Sequence, residues 1–137
     1  MEKRKVLIID DNYRKIGKTK NQILRVLPSA EITVVMTAKQ GVKKLMTNEY
    51  DVAVIDMQMP IHGGNIDLQG GIYVLNKIKH CGSSGNGRID TRNLRYCINS
   101  SSTDSYKIMK EHGYGDIMFI LNDGIHSVKN QMDKLLL

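Results

Sequence analysis

Tryptophan is absent, phenylalanine occurs once, and there are only two prolines and two cysteines in 137 residues. So few aromatics leave no interleaving of aromatic and basic side chains on which bases could stack, and no helix-turn-helix pattern is visible. The cysteines, Cys81 and Cys97, have neither metal-ligand spacing nor a disulfide framework. Cys97 lies in an apolar stretch and reads as core, and the pair fits a reducing cytoplasm. Also missing is any run of about 18 apolar residues, so no membrane-spanning helix is expected. The start Met1-Glu2-Lys3-Arg4-Lys5 leads into a short apolar run followed at once by acids, unlike a signal peptide. A soluble cytoplasmic protein is the expectation, with residues 1–137 forming a single domain long enough for one substantial core and no second domain after it.

Acids are the minority charge: 14 Asp and Glu against 20 Lys and Arg, a net charge of +6. Such a surface attracts nucleic acid, an acidic partner or an anionic surface, and does not choose among them. The bases are dispersed: Lys3, Arg4 and Lys5, then Arg14, Lys15, Lys18 and Lys20, then Lys43 and Lys44. Lysine-bearing helix faces read as solvated, so direct nucleic-acid binding is not expected.

The informative acids close two apolar runs. Asp10-Asp11 follow Val6-Leu7-Ile8-Ile9, and Asp56 follows Val52-Ala53-Val54-Ile55. Continuous runs of this kind suit strands of a parallel sheet covered on both faces, where ligands bind beyond the carboxyl ends of the strands. Three carboxylates there repel one another unless a cation neutralises them, and hard oxygen donors favour magnesium, which keeps several waters and takes its other ligands from a few carboxylates and a phosphate. The plain alternative is that they are strand-end or helix-capping residues.

Strands and helices alternate along the chain, which implies right-handed crossovers onto a parallel sheet. Strands are expected at residues 6–9, 32–36, 52–55, 96–98 and 117–121. The first helix carries Ile16, Ile23, Leu24 and Leu27 at helical spacing and ends at Pro28. The second buries Ala38, Val42, Leu45 and Met46, with Thr37 as its cap. The third spans 71–79 with Ile72, Leu75 and Ile78 inward, the fourth 105–111, and the last 127–136. The fold class is α/β, a doubly wound five-stranded parallel sheet with helices on both faces.

With Met59-Pro60 three and four residues beyond Asp56, the segments Ile8-Ile9-Asp10-Asp11-Asn12 and Ile55-Asp56-Met57-Gln58-Met59-Pro60 resemble the receiver domain of two-component response regulators. The resemblance runs from about Lys5 to the last helix. It implies a flavodoxin-like fold and a phosphoacceptor role for Asp56. Magnesium would be held by Asp11 and Asp56 directly, by Asp10 through water, and by the backbone carbonyl of Gln58. Ser100 is the best assignment for the hydroxyl that binds a phosphoryl oxygen and moves on activation, with Asn99 or Ser101 taking the role if the register shifts by one. Phe119 would stand for the rotating aromatic, or be plain core. Receivers keep a lysine and a proline after the fifth strand, but this chain has Leu121-Asn122-Asp123-Gly124; Asn122 occupies the lysine position and supplies no positive charge.

As a receiver the chain is expected to be a signalling domain rather than an enzyme. Its partners would be a sensor histidine kinase or phosphotransfer protein and a downstream protein, met on the face near Tyr106, Lys107 and Lys110. The Leu135-Leu136-Leu137 tail covers the core or marks a homodimer surface. Two enlarged loops depart from a minimal receiver. Residues 61–70, beside the acids, carry His62, and their Gly pairs point to mobility; the second loop is at about 81–92, and its residues 81–88 read as a flexible polar linker. One alternative is a degenerate receiver acting as a phosphate-independent interaction module. Another, a phosphohydrolase of the haloacid-dehalogenase type, needs a second aspartate two residues after the nucleophile, and neither Asp56 nor Asp10 has one.

Overall fold

The apolar runs become the strands. In the computed structural model, which describes residues 3–83, 89–122 and 128–137, β1 (Lys5–Ile9), β2 (Glu31–Val35), β3 (Val52–Ile55), β4 (Arg95–Ser100) and β5 (Met118–Leu121) form one sheet. Their order is β2-β1-β3-β4-β5, and every pairing is parallel. The two-residue period of a strand divides the core. Val6, Ile8, Val52, Val54, Cys97 and Ile120 pack with Ile16 and Ile23 of α1 (Tyr13–Val26) and with Met132, Leu135 and Leu136 of α5 (Lys129–Leu136). Leu7, Ile9, Ala53, Ile55 and Ile98 face α2 (Ala38–Thr47), α3 (Gly70–Ser83) and α4 (Asp104–Glu111). Burying each such aliphatic side chain contributes about 1.5–3 kcal/mol, which is why the inner strands tolerate no polar residue until their ends.

Several boundaries differ from the sequence expectation. Leu24, expected inward, is 39% exposed, and the small Thr19 takes the inward place between Ile16 and Ile23. The third helix runs on through Cys81, Gly82 and Ser83, so the first part of the expected 81–88 linker is helical. Residues 84–88 lie outside the described residues, and Ile89 and Leu94 beyond them are buried. The fourth strand includes Asn99 and Ser100, because β5 continues to pair with it to the Ser100↔Leu121 register. Ser127, expected in the last helix, is outside the described residues. Leu135 and Leu136 are core, whereas Leu137 is exposed. Thr37 caps α2 as expected, its hydroxyl accepting the Gln40 N–H at 3.1 Å.

The enlarged 61–69 loop is exposed apart from half-buried Ile61, but it is tied at both ends. The Pro60 and Ile61 carbonyls accept the first two N–H groups of α2, from Ala38 and Lys39, at 2.9 Å each. Asp67 bridges back to Met59, and its carboxylate accepts the Gln69 N–H at 2.7 Å, just before α3. Two orphan donors of α2 are thus satisfied by the loop itself, and the first of α3, the Gly70 N–H, donates to the Asp67 carbonyl at 3.3 Å.

Candidate functional site

Strand order reverses between β1 and β3, and that is where a crevice opens in a doubly wound sheet. Because Ile9 pairs with Ile55, the next residue of each strand, Asp10 and Asp56, emerges beside the other. The Asp56 N–H donates to the Ile9 carbonyl at 2.8 Å and the Asp10 N–H to that of Val35 at 3.0 Å, which holds both backbones in ladder geometry to their last residue. Asp10, Asp11 and Asp56 each bring a carboxylate oxygen within 4.8 Å of the others. Asp10 and Asp56 are buried and Asp11 is half-buried.

Close acids in so dry a place resist ionisation. Burial, reinforced by Asp56, raises Asp10 to about 7, and burial raises Asp56 as well, against the pull of Lys15. A donor set of hard carboxylate oxygens that cannot all ionise without a compensating cation fits a divalent metal such as magnesium. Gln58, whose carbonyl the resemblance adds to that set, is half-buried in the loop after β3.

Lys15, expected on a solvated helix face, instead reaches the acids. Its side chain is 11% exposed, and Nζ lies 2.6 Å from Asp56 Oδ1, 3.7 Å from Asp10 Oδ2 and 2.6 Å from the Asn99 carbonyl oxygen. The local cause is the start of α1. Asp10 Oδ1 accepts the Asn12 N–H at 3.0 Å, and Asn12, as N-cap, accepts the Lys15 N–H at 3.1 Å. Lys15 therefore stands in the first helical turn, where side chains lean back toward the N-terminus and so toward the strand ends. A lysine one turn after an acidic pair and an Asn cap was the signal available in the sequence.

Of the residues expected to meet the phosphoryl group, Ser100 is buried at the end of β4, its hydroxyl 2.7 Å from that of Ser105 and accepting the Ser102 N–H at 3.2 Å. Asn99 leans the other way, its amide donating to the Thr19 hydroxyl at 3.2 Å, and Ser101 is exposed. The Asn122 N–H donates to the Ser100 carbonyl at 2.7 Å, while its buried Nδ2 has no hydrogen-bond partner among the described residues. Phe119 is half-buried, its ring 5.6 Å from that of Tyr106. Tyr106, Lys107 and Lys110 are exposed on α4, and His62 is exposed in its loop.

Comparison with known proteins gives the same picture. No protein-family model matches the chain. Over 64 residues it is 33% identical to Stress response regulator protein 1 of the yeast Lodderomyces elongisporus, which covers 47% of this chain and 18% of that much longer protein. The bacteriophytochrome response regulator AtBRR superposes with a TM-score of 0.72 at 18% identity, covering 99% of this chain and 91% of the other. The response regulator TrrA of Thermotoga maritima, solved in complex with Mg2+ and BeF, gives 0.69 at 16% identity, covering 98% and 99%. A CheY-like receiver domain from Methylobacillus flagellatus gives 0.68 at 14% identity, covering 98% and 99%. Strand order, helix placement and these likenesses together show that the chain has the fold of response regulator receiver domains.

Proposed function

We propose that the chain accepts a phosphoryl group on Asp56 in a magnesium-dependent two-component phosphorelay and passes the signal on by protein contact in the cytoplasm. The observation that carries this reading is the convergence of Asp10, Asp11 and Asp56 within 4.8 Å at the point where the strand order reverses. Asp11, Asp56 and the Gln58 carbonyl would hold magnesium, with Asp10 acting through water. When bound, the metal supplies positive charge against the phosphoryl oxygens. The Asp56 carboxylate attacks phosphorus in line with the departing group of a phosphohistidine or a small phosphodonor. Ser100 and the free amide of Asn122 then serve as donors to the product oxygens. The buried Ser100–Ser105 hydroxyl pair links that site to α4. The exposed surface of α4, with β5 and α5 beside it, is the face offered to a downstream protein.

A second reading, a receiver that works as an interaction module without phosphate, is favoured by one observation: residues 117–128 contain no lysine or arginine. Intact mass after incubation with magnesium and phosphoramidate separates the two. One added phosphoryl mass in the wild type, absent from Asp56→Asn, is the expected result. A folded, magnesium-binding wild type that gains no mass from phosphoramidate or from a phosphorylated histidine kinase makes the interaction module the better account.

A further inference from the structure

Lys15 is in a costly position unless the acids need it. A lysine in the first turn of a helix faces the positive end of the helix dipole, and α1 has no acidic residue in that turn to offset it. Its ammonium is also largely removed from water, with 11% of the side chain exposed. Both costs are offset by its partners, the Asp56 carboxylate, the Asn99 carbonyl and, farther off, Asp10. Those partners come from β1, β3 and β4, so the ammonium sits over the strand ends that frame the crevice. The segment after β5, meanwhile, contains no lysine or arginine as far as residue 128.

We infer that Lys15 supplies from α1 the ammonium that binds the phosphoryl group on Asp56, in place of a cation after β5. The inference rests on the reading of Asp56 as phosphoacceptor. In the transfer from phosphoramidate, an Asp56 oxygen forms a bond to phosphorus while the P–N bond breaks. The electron pair of that bond leaves with nitrogen, which departs as ammonia with the three protons it carries in the zwitterionic donor. The carboxylate charge of Asp56 disappears into the acyl linkage, and the phosphoryl oxygens carry the negative charge instead. An ammonium has three donors in rotatable positions. The donor aimed at Asp56 Oδ1 follows the charge to a phosphoryl oxygen, while the one on the Asn99 carbonyl stays as an anchor to β4.

The test compares rates of phosphoryl gain, by intact mass with phosphoramidate and magnesium, in the wild type, Lys15→Met and Lys15→Met/Asn122→Lys, with thermal unfolding of each. Lys15→Gln replaces Lys15→Met if the latter does not fold. Neutralising Lys15 should slow the gain about tenfold or more, as loss of one preorganised charged donor does. A lysine placed at residue 122 should recover most of that loss, because the deficit is one of charge. Wild-type rate and acyl-phosphate lifetime in folded Lys15→Met overturn the inference. So does a slow variant that Asn122→Lys leaves as slow, since that pattern marks Lys15 as merely structural. A wild type that gains no mass from phosphoramidate or from a phosphorylated histidine kinase overturns the phosphoacceptor reading, and the inference falls with it; a labelled wild type with an indifferent Lys15→Met overturns the inference alone.

Discussion

Asn12 accepts the backbone N–H of Lys15 on its side-chain oxygen at 3.1 Å, and so the residue that starts α1 also aims the lysine at the acids. Asn12→Ala should lower stability by about 1 kcal/mol, the usual cost of losing an N-cap. It should also let the first turn fray and weaken the Lys15–Asp56 ion pair. Urea unfolding measures the first effect, and the Lys15 side-chain amine signals in NMR report the second. A variant as stable as the wild type, with unmoved Lys15 signals, would contradict the capping role.

Gly71 brings the start of α3 against the backbone that carries Asp56. A Cβ on Gly71 would lie 2.8 Å from the Asp56 carbonyl oxygen and 2.9 Å from Met57 Cα. Backbone cannot yield as a flexible side chain does, so Gly71→Ala should cost about 1–3 kcal/mol. It should also weaken magnesium binding by displacing Asp56. Calorimetric titration with magnesium alongside thermal unfolding checks both, and a neutral substitution would show that α3 can shift freely.

The raised carboxyls give the metal-free protein a characteristic pH dependence. With Asp10 at about 7 and Asp56 also above its usual value, the folded state keeps protons that the unfolded chain releases near pH 4. Stability from these groups is therefore complete at low pH and declines as pH rises toward and through 7, by at most about 1.4 kcal/mol per pH unit for each proton. Asp11 and Lys15 face the same pair, one opposing and one aiding ionisation. Thermal midpoints without metal should fall between pH 5 and 8. The fall should be smaller in Asp10→Asn and smaller again with saturating magnesium. A midpoint independent of pH over that range would contradict the burial of these acids.

Asp11→Asn should act in opposite directions on two measurements. Removing one of three clustered carboxyl groups relieves repulsion, so the metal-free protein should be unchanged or more stable. Magnesium affinity should drop by about tenfold or more, since the ion takes its protein ligands chiefly from carboxylates. Calorimetric titration reads the affinity, and an unchanged value would remove Asp11 from the metal site.

Tying Ser100 to α4 through Ser105 gives a further substitution with a definite sign. Both hydroxyls are buried and 2.7 Å apart, so Ser105→Ala leaves the Ser100 hydroxyl short of a partner, at about 1–3 kcal/mol. Denaturant unfolding should show that loss. Ser101→Ala, which removes an exposed hydroxyl, serves as the neutral control.

Most of the fold is legible in periodicity. Val6 to Ile9 and Val52 to Ile55 read as strands covered on both faces, and the structure makes them inner strands with the acids that close them at one edge of the parallel sheet. The misplacements fall where local pattern carries little information. Leu24 looked inward because one residue of helical drift costs nothing in a sequence, whereas the position of α5 against α1 decides which stripe is covered. Cys81 to Ser83 looked like linker because Gly and Ser weaken helical preference, yet the helix continues. Asn99 and Ser100 fall beyond the expected 96–98 strand because their polarity breaks the apolar run, yet β4 continues through both.

The sequence by itself determined the strand–helix order, the sheet it builds and the three acids at its carboxyl edge, because each is written in neighbouring residues. Only the tertiary structure decided that Lys15 belongs with them. Its partners Asp56 and Asn99 lie 41 and 84 residues away along the chain. Its place one turn after the Asn12 cap is local, but nothing local says which distant groups it reaches. Strand pairing sets Asp10 beside Asp56, and the Asn12 cap sets the first turn of α1 above them, so that a long cationic side chain can bury itself where its charge is balanced.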